Sequence, residues 1–81
     1  MADDKVNKQI EELSKISRDD GKEEYAKAQF ELGLIYQDKK HDYDKAEEHY
    51  LNIFKEDATK FYANAQFNLA IIYQEKKTGL W

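Results

Sequence analysis

Sixteen residues, Tyr25 to Lys40, return 37 positions later as Tyr62 to Lys77, with 11 of the 16 positions identical. The five differences are Lys27/Asn64, Glu31/Asn68, Gly33/Ala70, Leu34/Ile71 and Asp38/Glu75. Three of them, Gly33/Ala70, Leu34/Ile71 and Asp38/Glu75, are mild. A duplication of this length in an 81-residue chain means one supersecondary unit used at least twice. Each copy must then bury its apolar surface against its neighbours, because a unit this small has no core of its own.

Within each copy the apolar residues fall at helical spacing. Tyr25, Ala28, Leu32, Ile35 and Tyr36 form one stripe, matched by Tyr62, Ala65, Leu69, Ile72 and Tyr73. Ala26, Phe30, Gly33 and Leu34 form a second, matched by Ala63, Phe67, Ala70 and Ile71. A helix with two apolar stripes needs cover on two sides. Between the copies, Ala46, Tyr50, Ile53 and Phe54 repeat the spacing, and Asp44 with Glu47 three residues on reads as a capping box, with Asp42 the other candidate start. Ahead of the first copy, Val6, Ile10, Leu13 and Ile16 make a fourth helix, whose opening Asp4-Lys5-Val6 echoes Asp44-Lys45-Ala46. Gly21 breaks the chain after it, and Asp20 with Glu23 can cap the next helix. The expectation is an all-α fold of about four helices, over residues 4–18, 21–39, 43–56 and 59–77, in one domain spanning 1–81. Links of a few residues force neighbouring helices antiparallel, giving an unpaired first helix (4–18), a repeat at 21–56 and an incomplete repeat at 59–81.

The run Ala28-Gln29-Phe30-x-Leu32-Gly33-x-x-Tyr36, followed by Tyr43-x-x-Ala46-x-x-x-Tyr50, resembles the tetratricopeptide repeat. Its Ala-Gln-x-x-Leu-Gly opening and 37-residue period lean toward the Sel-like relatives of that family. The resemblance covers about residues 22–77. The chain departs from the family in having no proline after the second helix, no glycine in the Lys39–Asp42 turn and no first-helix tryptophan. The family implies helix hairpins stacked into a superhelix whose inner face holds a peptide or a partner helix. Gly33 agrees on physical grounds: a helical glycine costs about 1 kcal/mol relative to alanine, a cost that close passage of another chain segment explains.

Motifs for catalysis are missing. The three glycines are far apart, so there is no phosphate loop, and Ser14 and Ser17 have no nearby histidine. His41 and His49 lie among Asp42, Asp44 and Glu48, but no third ligand is fixed at helical spacing, and two solvated surface histidines is the simpler expectation. Acidic pairs such as Glu11-Glu12 and Glu47-Glu48 suit helix dipoles and solubility. No enzyme, cofactor or metal is expected. Thirteen basic against 17 acidic residues, a net charge of −4, argues against nucleic acid, including RNA reading by helical hairpins, which shares this period. The longest apolar run, Leu69 to Tyr73, is far below the ~20 residues of a membrane span, and neither cysteine nor a visible secretory signal occurs. A reducing, cytoplasmic setting is expected.

What remains is contact surface. If helices 21–39 and 59–77 line an inner face, as the resemblance implies, that face presents Lys27, Phe30, Glu31, Leu34, Gln37 and Asp38. Its second rung carries Asn64, Phe67, Asn68, Ile71, Gln74 and Glu75. A protein–protein interaction module binding a peptide or partner helix there is the preferred expectation. The four residues Phe30, Leu34, Phe67 and Ile71 are equally compatible with core. The alternative is a self-associating structural repeat: helix 59–77 has two apolar stripes but one preceding neighbour, so Ile72, Leu80 and Trp81 would form an open end that joins a second copy in a homodimer.

Overall fold

The computed structural model describes residues 2–78. Among them the chain is all-α, with four helices and no strand: α1 (Ala2–Ser14), α2 (Lys22–Asp38), α3 (Tyr43–Leu51) and α4 (Thr59–Thr78), with a 3₁₀ turn at Arg18–Asp20. α2 and α4 fall within a residue or so of their expected bounds. α1 and α3 both end early, through local hydrogen bonding. After α1, Lys15 and Ile16 donate to the carbonyls three residues back, and Ser17 and Asp20 then close a reciprocal cap around the 3₁₀ turn, Ser17 N–H donating to Asp20 Oδ2 at 2.8 Å. Asp20 is spent there, so it does not cap α2 as expected; the N-cap of α2 is Gly21, whose φ of 141° suits only glycine. After α3, Asn52 and Ile53 also tighten to three-residue bonds, and a turn over 55–57 replaces the expected last helical turn. The cap of α3 is Asp42, which accepts from Lys45 N–H at 3.1 Å, and not Asp44. His41, at φ 53°, makes the preceding turn without a glycine; histidine is among the residues that tolerate this region.

α2 touches the other three helices, α3 touches α2 and α4, and α1 packs on α2. Ala26 of α2, Ala46, Tyr50 and Ile53 of the α3 segment, and Ala65, Leu69 and Ile72 of α4 form one buried cluster. Phe30, Phe61 and Tyr62 flank it, Phe30 lying 5.9 Å from the Tyr50 ring and 5.8 Å from Phe61. Ala28, Leu32 and Ile35 of α2 are also buried but stand outside this cluster. Polar contacts tie the elements together at the rim. Lys40, in the turn after α2, donates to Asn7 of α1 at 2.8 Å, and Lys76 reaches Asp44 and Glu47 across α4 and α3 at 2.7 and 3.1 Å. Arg18 binds the buried Asp57 carboxylate while lying over the Phe54 ring, pinning the 3₁₀ turn to the α3–α4 link.

Candidate interaction surface on the fourth helix

The duplication allows each position of α4 to be compared with its counterpart in α2, and the two stripes part company. The three central residues of the first stripe are buried in both copies: Ala28, Leu32 and Ile35 in α2, and Ala65, Leu69 and Ile72 in the central cluster. Three positions of the second stripe, with Tyr36 and the polar neighbours Gln29 and Gln37, are buried or half-buried in α2 and exposed in α4, while Leu34 and Ile71 are half-buried in both copies. Ala26, Gln29, Phe30, Gly33, Tyr36 and Gln37 correspond to Ala63, Gln66, Phe67, Ala70, Tyr73 and Gln74, and all six of the latter are exposed. Phe67 is 68% exposed, the most open large apolar side chain among those described.

In the first copy this face meets α3, whose side chains and C-cap bond to Gln29 and Gln37 on it. Gln29 Oε1 accepts from His49 Nδ1 at 2.8 Å and Asn52 Nδ2 at 2.9 Å, so the His49 proton sits on Nδ1. The His49 ring stacks on Tyr36 at 5.4 Å, and burial pushes its imidazole below the usual range. His49 is therefore a packing residue, contrary to the expectation of two solvated histidines; His41 is exposed. Lys45 lies over the other ring of the pair, 5.4 Å from the Tyr36 centroid. Tyr50 is fully buried across Gly33, and its hydroxyl donates to Gln37 at 2.7 Å and accepts from Asn68 at 3.2 Å. Burial raises its phenol pKa to about 12. Among the described residues no buried side-chain nitrogen or oxygen lacks a partner.

The expected inner-face residues differ in exposure. Lys27, Asn64, Phe67 and Gln74 are exposed, whereas Glu31, Leu34 and Ile71 are half-buried. Phe30 packs between Tyr50 and Phe61, which makes it a core-flanking residue. Asn68 turns inward to Tyr50, so packing does employ it after all. Ile72, expected on a self-association face, is 0% exposed and belongs to the core; Leu80 and Trp81 lie outside the described residues. Ala63, Gln66, Ala70 and Tyr73 join Phe67 on the open face without having been singled out as contact residues. Tyr73 is half-exposed and its hydroxyl bonds to Glu47, which, with Lys76, holds that carboxyl below the usual range.

Among the described residues no group of three or more metal-ligating side chains occurs, and no helix is long and apolar enough to cross a membrane. No protein family, curated protein or solved structure matches the chain.

Proposed function

We propose that the chain is a noncatalytic protein–protein interaction module built from tetratricopeptide-like, antiparallel helix hairpins, and that it binds a partner helix on the exposed side of α4. The hairpin arrangement is supported by the order of contacts. Lys45 near the start of α3 meets Tyr36 late in α2, while Asn52 just past its end meets Gln29 in mid-helix. Likewise Glu47 and Asp44 meet Lys76 late in α4, and Tyr50 meets Asn68 farther back.

The observation that carries the functional proposal is the exposure of Phe67, set among Ala63, Ala70 and Gln74, when its counterpart Phe30 is packed between aromatic rings. An apolar strip bordered by amide side chains offers packing area and hydrogen bonds, as a helix-binding surface requires. A photoreactive side chain placed at position 67 is expected to couple to a polypeptide in a lysate of the source cells, whereas the same group at exposed Lys60 on the same helix does not. Equal labelling from both positions, or no polypeptide adduct at 67, rejects the surface.

A further inference from the structure

The molecule contains a worked example of what covers the open face of α4: the matching face of α2 is covered by α3. It also contains a second helix of the α3 kind. α1 aligns with α3 at an offset of 40, placing Lys5 at Lys45, Gln9 at His49, Ile10 at Tyr50 and Leu13 at Ile53. α3 uses Lys45, His49 and Asn52 toward α2 and Asp44 and Glu47 toward α4. Asn7 of α1, the counterpart of Glu47, accepts from Lys40 just past the end of α2, while the Lys5–Gln9–Glu12 side, the counterpart of Lys45–His49–Asn52, is exposed. An open hollow of about 450 Å³ lies along that side, lined by Lys5, Lys8, Gln9, Glu12 and Leu13. Among the described residues, then, the α2-like helix α4 has no α3-like cover on this face, and the α3-like helix α1 has no α2-like helix on its Lys5–Gln9–Glu12 side.

We infer that α1 of a second copy seats on the exposed face of α4, in the manner of α3 on α2, so that the chains join head to tail. This rests on the proposal that α4 is a contact surface, and it names the partner. Size complementarity selects α1 over α3 as the occupant. At the crossing of α2 and α3, glycine faces tyrosine, and a Cβ on Gly33 would fall inside van der Waals contact with three atoms of the Tyr50 ring. The corresponding position on α4 is Ala70, whose Cβ excludes a tyrosine there. α1 offers Ile10 at that position, a shorter side chain, half-buried in the free chain. The small-to-larger change on one helix is met by a large-to-smaller change on the other. Lys5 then stands over Tyr73 as Lys45 stands over Tyr36, and Gln9 faces Gln66 as His49 faces Gln29. The contact is heterologous, so its repetition yields an open array with no fixed subunit number.

Two full-length variants test this. Phe67→Asp damages the α4 side only, and Lys5→Glu with Gln9→Glu damages the α1 side only; all three positions are exposed, and circular dichroism checks that folding persists. By sedimentation from micromolar to millimolar concentration, the unaltered chain is expected to rise from 9.6 kDa past twice that mass. Each variant alone should associate about tenfold to a hundredfold more weakly, the equivalent of removing one buried aromatic or its partners. Mixed, the two variants share one intact α4 face and one intact α1 face, and should form a 1:1 pair that grows no further. A constant 9.6 kDa, as when the chain's own residues 79–81 cover the face, overturns the inference. So does a dimer that the α1 variant leaves unchanged, as an α4-to-α4 two-fold would. A polypeptide adduct at position 67 of a different mass, with no self-association, removes this partner and leaves the interaction surface standing.

Discussion

A missing Cβ sets the distance between α2 and α3. The Tyr50 ring lies against Gly33 and cannot retreat, because it is fully buried and its hydroxyl is held from both sides by Gln37 and Asn68. Gly33→Ala therefore sets two effects against each other: about 1 kcal/mol gained in helix propensity and about 1–3 kcal/mol lost to overpacking. With the ring immobile the collision wins, and urea denaturation should show a net loss of about 1–2 kcal/mol. In a Tyr50→Leu background the same change should turn stabilising; a loss of equal size in both backgrounds would mean the ring is not the obstacle. Tyr50 also governs alkaline behaviour. Its folded pKa, about 12, lies above the ordinary 10.0, so the folded state prefers the neutral phenol. That contribution is complete below pH 10 and is lost as pH rises toward 12. Stability should fall more steeply through this interval in the unaltered chain than in Tyr50→Phe, which keeps the ring but cannot ionise. Parallel falls would show that the phenol contributes nothing there.

At the level of elements, helix existence was legible in the sequence and helix ends were not. The stripes of α2 and α4 announced themselves by spacing, and the duplication located both helices to within a residue or so. α1 and α3 stop short for reasons that periodicity does not encode: Ser17 and Asp20 prefer each other to a further helical turn, and Asn52 reaches across to Gln29. The two stripes could be seen, but nothing in their composition told which one α3 would cover in the first copy. For that reason Asn68 read as a groove residue and Ile72 as an end-face residue, although the first supports Tyr50 and the second fills the core. The α3 start posed the same ambiguity between Asp42 and Asp44, and it can be measured. Asp42→Ala removes the acceptor for Lys45 N–H and should cost about 1 kcal/mol, lowering the melting temperature of a domain this size by about 4–8 °C. Asp44→Ala removes an exposed partner of Lys76 and a first-turn charge, and should cost less than half as much. The reverse ranking would place the cap at Asp44.

Over the whole molecule the backbone spans 38 × 35 × 14 Å. The short dimension accommodates two helices, each about 4.6 Å across its Cα cylinder, at an axial separation of about 9 Å. A slab two helices thick has no deep interior, so each helix owes its stability to its immediate neighbours, and those neighbours are unequal. α2 touches three helices, α3 two, and α1 packs on α2 with Val6, Ile10 and Leu13 no more than half-buried and an open hollow on its far side. Hydrogen exchange should therefore be slowest in α2 and α3, faster in the half-covered α4, and fastest among the four in α1, where local opening exposes little additional apolar area. Equal protection in α1 and α2 would mean that the slab opens only as a unit, and that nearest-neighbour contact is the wrong description. Raising the concentration separates the inner helices from the outer ones in a second way. If α1 and α4 meet between copies, their amides should slow as assembly proceeds, while those of α3, already covered on both sides within its own chain, should not change.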